Sequence, residues 1–130
     1  MRLPAPPVTV IGRLKTRAEF LHVKGGTRFV APSLVLQARP RAGSKTEGWA
    51  RFGFTASKTI GGAVLRNRAR RRLKEAVRLA APSRVAPGYD YVLIARSGTV
   101  QRRFAELIKD LERALAKVHE PPRQREPKRS

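Results

Sequence analysis

The chain has no cysteine, and histidine is scarce, with only His22 and His119 among 130 residues. These absences exclude disulfide bonds and thiolate metal sites, and two histidines are too few for a zinc site. Neither histidine has a recognisable catalytic partner in the sequence. No segment reaches the 18 or so apolar residues of a membrane span, and the first residues lack the apolar core of a signal peptide. We therefore expect a protein of the reducing cytoplasm.

Acidic residues are also scarce, with 9 Asp and Glu against 29 Lys and Arg, which gives a formal net charge of +20. The nine acids are scattered, so nuclease chemistry at a metal site built by the protein is poorly supported. Aromatic residues make up only 6% of the chain, so any base stacking depends on a few rings. An excess of positive charge this large favours a polyanionic partner, either nucleic acid or, less often, an anionic membrane surface.

Length and composition favour one folded domain. A chain of 130 residues with 41% hydrophobic residues can form one modest core and is too short for two. The proline-rich start leads us to expect a mobile lead-in over residues 1–12. The basic segment that ends the chain predicts a disordered tail over residues 119–130. The domain is expected between them, over residues 13–118.

The first predicted elements are a short helix and a strand region. Thr16 and Glu19 have the spacing of a capping box, which predicts a helix from about Arg17 to Lys24 that two glycines end. The strand-like segment "RFVAPSLVLQARP" follows, and Pro32 confines its first part to a sheet edge or a bulge. A polar hairpin loop and the alternating strand "ARFGFTAS" come next.

The second half continues with a long helix opened by "KTIGG" and running to about Ala80. The segment "YDYVLIAR" is almost entirely apolar and predicts a central strand. A final amphipathic helix is expected from about Arg102 to Val118. The order is helix, two or three strands, helix, strand, helix, which predicts an α+β domain with helices on one small sheet.

The long helix carries most of the chemical information. Its segment "TIGGAVLRNRARRRLKEAV", Thr59 to Val77, contains five arginines and one asparagine within seven residues. At 100° per residue, one stripe is apolar, formed by Leu65, Ala69, Leu73 and Ala76. The nearly opposite stripe holds Asn67, Arg71, Lys74 and Arg78. Like charges four residues apart destabilise a helix, and phosphates bound by arginine would compensate. A solvated basic face without a partner and a helix for the DNA major groove are the alternatives.

The segment "FTASKTIGGAVLRNRARRRLKEAVR" resembles the signature of the bacterial ribonuclease P protein component. In that family a strand ending in Ser-Lys leads through Gly and a nearby Ala-Val into Arg-Asn-Arg and a basic helix. "RLKTRAEFLHV" is similar to the family's N-terminal helix, and "YDYVLIAR" with the final helix is similar to its closing half. The resemblance spans about Arg13 to Val118.

The resemblance implies a protein subunit of ribonuclease P, whose catalytic RNA removes the 5′ leader of precursor tRNA by Mg²⁺-dependent endonucleolytic cleavage. It implies that the partners are this RNA and precursor tRNA, not DNA or a membrane, and that Mg²⁺ is held mainly by RNA and substrate. The protein alone is expected to be a monomer. The implied fold has the order α-β-β-β-α-β-α, with about three helices on a four-stranded mixed sheet. It includes a left-handed βαβ crossover, whereas general rules predict a right-handed one.

Matched position by position, the resemblance assigns no catalytic and no metal-binding residue to the protein. The residues implied to bind the catalytic RNA are Lys58, Arg66, Asn67, Arg68, Arg70, Arg71, Arg72 and Lys74. The residues implied to contact the leader are Phe20, Lys24 and Ser57. Three positions depart from the family pattern: Lys24 stands where many members have a second aromatic, Thr59 replaces a frequent Lys, and Gly62 replaces a frequent Asn.

Several of these residues have an alternative interpretation. Phe20 could be a core residue instead of a stacking platform, and Lys58 could be a solvated turn residue. Trp49 could stack on RNA or fold back over the sheet. Gly61 and Gly62 could approach phosphate, but without a GxxxxGK(S/T) pattern the sequence favours close packing or a tight turn as their role. For the whole chain, the alternative function is that of a basic RNA-binding or ribosome-associated protein without an enzymatic role.

Overall fold

The computed structural model describes residues 10–41 and 49–120. These residues form an α+β domain with five strands, four α-helices and one short 3-10 helix. In chain order the elements are β1 (Val10–Arg13), α1 (Arg17–Lys24), β2 (Thr27–Val30), β3 (Leu34–Pro40), β4 (Trp49–Thr55), the 3-10 helix (Lys58–Ile60), α2 (Ala63–Ala80), β5 (Tyr89–Ala95), α3 (Ser97–Gln101) and α4 (Phe104–Val118).

Helix α1 has the predicted bounds, and its capping box is present. The Thr16 hydroxyl accepts a hydrogen bond from the Glu19 amide at 3.2 Å, and the Glu19 carboxylate accepts one from the Thr16 amide at 3.0 Å. At the other end, Arg39 donates to the carbonyl of His22 at 2.9 Å. Backbone groups that a short helix leaves unpaired at its ends are thus satisfied by side chains.

The sheet is mixed, with the strand order β1-β4-β5-β3-β2. Strands β1, β4 and β5 are parallel to one another, and β3 and β2 are antiparallel to their neighbours. Strand β2 lies at one edge of the sheet, as Pro32 predicted for the first part of this segment. Residues 31–33, which include Pro32, lie between β2 and β3 and outside both strands. Parallel neighbours β4 and β5 are joined through α2, a βαβ crossover.

The implied count of four strands is wrong, because β1 adds a fifth. This strand begins at Val10, inside the segment predicted as a lead-in. Its four residues include a glycine and show no clear alternation, so the sequence gives little strand signal. Pairing with β4, from Val10 opposite Trp49 to Arg13 opposite Phe52, is what orders them.

The two faces of the sheet are covered differently. On the first, called the core face, Phe52, Tyr91 and Leu93 pack against α2 and α4 in the main hydrophobic core. On the second, called the α1 face, Leu14 and Val92 pack with Val23 of α1 in a smaller cluster. Helix α1 packs mainly over β3 and β5, and it reaches β4 through the side chains of Glu19 and Phe20.

Two helix predictions need correction. The segment expected to open the long helix instead forms the 3-10 helix, and α2 begins only after Gly61, whose φ of 140° favours glycine. Leu65, predicted to lie on the buried stripe, is 41% exposed because α2 meets the core only from Ala69 onward. The predicted final helix is α4, which begins two residues later than expected and ends at Val118. The short helix α3 before it was not predicted, and the extended residues Arg102 and Arg103 separate the two.

Candidate RNA-binding surface

Helix α2 buries one side and leaves the opposite side to solvent. Its buried residues are Ala69, Leu73, Ala76, Val77 and Ala80. The residues predicted to lie opposite them, Asn67, Arg71, Lys74 and Arg78, are all exposed, as is Arg68. Arg66 and Arg70 on the flanks are partly exposed. The exposed basic residues of α2 between positions 66 and 74 are called the basic side of α2 below.

Short-range hydrogen bonds orient several of these side chains. Arg66 donates to the carbonyl of Gly61 at 2.9 Å, and Arg70 donates to the side-chain oxygen of Asn67 at 2.7 Å. Further along, Arg78 donates to the Glu75 carboxylate at 3.0 Å, which lowers the pKa of Glu75. Glu75 is therefore paired with Arg78, toward the C-terminal end of α2. Among the described residues, no carboxylate forms a salt bridge with Arg66 or Arg68.

Arg72 differs from its neighbours on the same helix. Its guanidinium donates to the carbonyl of Thr99 at 2.8 Å and also to the carbonyl of Arg102. It lies over the ring of Phe104, with 5.7 Å between the guanidinium carbon and the ring centroid. These contacts fasten α2 to α3, to Arg102 after it and to the first residue of α4. The sequence shows one arginine run, and nothing in it distinguishes the member that packs inward.

The end of strand β4 places Ser57 and Lys58 at the protein surface, ahead of α2. Both residues are exposed, and Lys58 is the first residue of the 3-10 helix. The Ser57 hydroxyl lies 2.6 Å from the Thr59 hydroxyl, so the two share a hydrogen bond. Lys24, the last residue of α1, is also exposed.

Phe20 is partly buried against Leu14, Val23 and Val92 on the α1 face. Its ring lies over Gly53, where a β-carbon would come within 2.5 Å of two ring atoms. Such a distance is far inside van der Waals contact, so only glycine at this position lets the ring rest on the strand. Phe20 is thus both a packing residue and a surface residue, and neither of the two interpretations alone describes it.

A cleft of about 210 Å³ connects Phe20 with the basic side of α2. It lies where β1 ends beside β4, so residues of both sheet faces meet there. Its lining residues include Arg13, Phe20, Gly53, Phe54, Arg70 and Lys74. The ammonium of Lys74 stands 6.0 Å from the centroid of the Phe54 ring, within cation–π range. The fold therefore brings Phe20, predicted to contact the leader, together with Arg70 and Lys74, predicted to bind the catalytic RNA. Lys24 and Ser57 do not line this cleft.

Sequence reasoning missed a charged network that holds α1 on the sheet. Asp90, only 1% exposed, pairs with Arg41 and with Arg51, the latter at 2.8 Å. Arg51 also pairs with Glu19 of α1 at 2.9 Å. Backbone hydrogen bonds from Lys15 and Thr16, and then Arg51, lower the pKa of Glu19. A lone acid inside the apolar strand "YDYVLIAR" was the available signal, since a buried carboxylate needs a cationic partner.

His119 has a partner that the sequence did not reveal. Its Nε2 lies 2.6 Å from the hydroxyl of Tyr91, and that hydroxyl also accepts a hydrogen bond from the amide of Ala86 at 2.9 Å. Burial lowers the pKa of His119 and raises the pKa of Tyr91. The pair fixes the end of α4 to the sheet, and neither residue lines the cleft.

The described residues contain neither a metal-ligand cluster nor a membrane-spanning helix. Within residues 10–41 and 49–120, no group of three or more His, Asp and Glu side chains could hold a metal ion. None of the described helices combines the length and the apolar character needed to cross a membrane.

Comparison with known proteins gives consistent matches. A family model described as Ribonuclease P matches residues 11–119. The ribonuclease P protein component of Ruegeria pomeroyi is 50% identical over 112 residues, covering 85% of this chain and 89% of the relative. That of Gluconacetobacter diazotrophicus is 52% identical over 107 residues, covering 82% and 90%.

Solved structures agree. The Staphylococcus aureus RNase P protein superposes with a TM-score of 0.67 at 27% identity, covering 83% of this chain and 97% of that one. The Thermotoga maritima RNase P protein gives a TM-score of 0.69 at 25% identity, covering 83% and 98%.

Proposed function

Because this chain belongs to the ribonuclease P protein family, we propose that the basic side of α2 binds the catalytic RNA and that the Phe20 cleft holds the precursor tRNA leader. The chain is the protein subunit of ribonuclease P, which processes the 5′ end of tRNA. It is an accessory subunit of a ribozyme endonuclease, so the family implies association with ribonuclease P RNA. We infer that the assembly acts in the cytoplasm, where precursor tRNA would be met.

The observation that carries the RNA-binding proposal is the charge of the basic side of α2. Arg68, Arg71 and Lys74 are exposed, and no carboxylate among the described residues pairs with them. Arginine presents a planar fork of donors that suits phosphate oxygens, and the buried stripe of α2 gives the fork a rigid base. The residues proposed to contact the catalytic RNA are Lys58, Arg66, Asn67, Arg68, Arg70, Arg71 and Lys74. Arg72 joins this set only if it leaves its carbonyl partners.

The leader proposal rests on the same cleft. The partly exposed ring of Phe20 offers a surface for a base, and Arg70 and Lys74 at the cleft wall offer charge for the phosphates. Stacking on an aromatic ring tolerates any base, which suits leaders that differ between tRNAs. Lys24 and Ser57 are proposed as outlying polar contacts to the leader. The joint cleft would let one RNA strand pass from the ring to the basic side of α2.

We propose that Mg²⁺ is held by the catalytic RNA and the substrate, where it would activate water and stabilise the leaving oxygen. The part of the chain that the structure describes contributes cations instead of ligands, since its acids are paired with arginine or lysine or lie apart. Fixed positive charge beside closely spaced phosphates reduces the repulsion that Mg²⁺ otherwise offsets. The protein is thus expected to matter most when Mg²⁺ is scarce. We also propose that the protein alone is a monomer.

The β4–α2–β5 crossover is proposed to be left-handed. The carbonyl of Phe52 accepts a hydrogen bond from the Leu14 amide at 3.0 Å, so it points toward β1, while the Phe52 ring packs under α2. For an L-residue, these two directions support a position of β5 to the left of β4 when the sheet is viewed from α2 with β4 running upward. The usual right-handed crossover would place it on the right. A crystal structure with β5 on the right would overturn this proposal.

The test is cleavage of a precursor tRNA by a bacterial ribonuclease P RNA at low Mg²⁺, with and without this protein. We expect the protein to restore cleavage at the correct 5′ position. Arg68→Ala should weaken this rescue more than it weakens binding to unrelated RNA. Arg113→Ala, which removes an exposed arginine from α4, is the matched control and should rescue normally. Tight binding to many RNAs without rescue would indicate the alternative, a general RNA-binding protein.

A further inference from the structure

We propose that Trp49 is a second stacking platform for the precursor tRNA leader, farther from α2 than Phe20. The inference extends the proposed leader site and rests on it. It concerns the α1 face of the sheet, along the strand that also carries Gly53. Neither the charge pattern nor the family resemblance singles out this residue.

Trp49 lies on the same sheet face as Phe20. Side chains alternate along a strand, so Trp49, Arg51 and Gly53 of β4 all point to the α1 face. The ring of Trp49 lies against Gly12 of β1, where a β-carbon would be 3.2 Å from a ring atom. Phe20 lies in the same way against Gly53. Two aromatic rings are therefore seated on two glycines of one continuous surface.

The Trp49 ring is both anchored and accessible. Its residue is 49% exposed, although tryptophan is usually well buried in folded proteins. Its carbonyl accepts hydrogen bonds from the Gly88 amide at 2.8 Å and from Arg41 at 2.7 Å, which fix the backbone that carries the ring. A rigid, half-exposed aromatic side chain loses little conformational entropy on binding, so it is suited to stack on an unpaired base.

The charged residue near the two rings is already paired within the protein, so it is not a free cation for the phosphates of the leader. The Trp49 ring rests on Gly12, which lies opposite Arg51, two residues before Gly53. The two glycines that carry the rings therefore lie on neighbouring strands, about 7 Å apart along the strand direction. Arg51 lies beside Gly12 on the same face, and its guanidinium is held by Asp90 and Glu19. Since that charge is already neutralised, the rings are the features left to hold a base on this surface.

The direction of β4 sets the order in which a leader meets the two rings. Gly53 is close to the carboxyl end of β4, where the cleft also touches Arg70 and Lys74 of α2. Trp49 begins the same strand at its opposite end. If the cleavage site lies near the basic side of α2, the nucleotides next to it reach Phe20 first. Only a longer leader extends to Trp49. This residue should therefore make the affinity for precursor tRNA depend on the length of its leader.

The experiment uses holoenzyme reconstituted with a bacterial ribonuclease P RNA. Affinity is measured for two precursors of the same tRNA, one with a single-nucleotide leader and one with a leader long enough to cross the sheet. We expect Trp49→Ala to weaken binding of the long-leader precursor by about fivefold or more, the loss of one stacked base, and to leave the other unchanged. Trp49→Phe should retain most of the affinity. Val30→Ala, at the opposite edge of the sheet, is the control for loss of an exposed apolar side chain.

A second measurement needs no substitution. Trp49 is the only tryptophan of the chain, so its fluorescence reports this position alone. Stacking of a base on the ring should change the emission when the long-leader precursor binds, and the single-nucleotide precursor should change it much less. This readout remains valid if Trp49→Ala fails to fold.

The outcomes separate this inference from the proposal on which it rests. If Trp49→Ala weakens both precursors equally, or if the emission responds equally to both, Trp49 is structural and the inference is wrong. If Phe20→Ala weakens binding of the long-leader precursor but Trp49→Ala does not, the leader site stands without its second platform. If neither substitution affects long-leader binding and the emission is unchanged, the leader site itself is wrong.

Discussion

The ring of Phe20 rests on the backbone of Gly53 so closely that a β-carbon there would overlap two of its atoms. One contact therefore couples the position of α1 to the strand that leads into α2. Because the same ring borders the cleft to Arg70 and Lys74, this packing relationship determines where the leader-binding surface lies.

Gly53→Ala should displace Phe20 and destabilise the fold by about 1 to 3 kcal/mol, the usual range for overpacking. Urea unfolding of the single and double variants checks it. Once Phe20→Ala has removed the ring, the added methyl group has space, so the cost of Gly53→Ala should fall sharply in the double variant. Equal costs with and without the ring would mean that the contact does not determine this glycine.

Arg72 and Arg71 should separate stability from RNA binding. Arg72→Gln removes the charged donor to the carbonyls of Thr99 and Arg102, so the free energy of unfolding should fall by about 1 to 3 kcal/mol. Arg71→Gln, on the exposed side of the same helix turn, should leave unfolding nearly unchanged and weaken binding to the catalytic RNA. The reverse result, a stable Arg72 variant with weaker RNA binding, would place Arg72 among the RNA contacts.

The salt dependence of binding should report the contacts of Arg68. If this side chain meets a phosphate, Arg68→Ala should reduce the slope of log K against log salt by about one. Binding of the catalytic RNA is measured over a series of monovalent salt concentrations. Arg113→Ala on α4 removes the same charge from the chain, so an equal change in slope for both variants would point to net charge instead of a contact.

His119 should make stability depend on pH in a defined window. Burial holds the folded-state pKa of His119 below its ordinary value of 6.5. Between these two pKa values, the imidazole is protonated in the unfolded chain and neutral in the folded protein. Stability should therefore decrease as the pH falls from about 6.5 toward the lowered folded-state pKa, and level off below it. Thermal unfolding across this window checks it. His119→Gln should flatten the curve there, and an unchanged curve would assign the effect to another group.

Local signals in the sequence predicted the elements that local interactions build. The capping box of Thr16 and Glu19 predicted the start of α1, the two glycines after Lys24 predicted its end, and Pro32 separated β2 from β3. Strand β1 was missed because it has almost no pattern of its own and is ordered by a partner far along the chain. Such pairing is tertiary and has no local signature.

The sequence predicted which kinds of residue form the candidate site, but not how the fold arranges them. The pattern predicted an arginine-rich exposed side of α2, and the structure has one. It could not tell that Arg72 turns inward, since the carbonyl groups that receive it belong to residues 27 and 30 positions away. The approach of Phe20 to Arg70 and Lys74 likewise depends on where β1 stops, which no local pattern encodes.

The strand order has a consequence for the synthesis of this protein on the ribosome. The central strand β5 is the last of the five to be made, and both β4 and β3 pair with it. Until Ala95 has been translated, the two halves of the sheet have no shared neighbour, and pairs of strands alone are marginal in water. The arginine-rich segment of α2 is synthesised before β5, so its positive charge is exposed beside ribosomal RNA before the sheet on which α2 packs is complete. Because the last strand of the chain is the central strand of the sheet, the domain can complete its fold only late in translation.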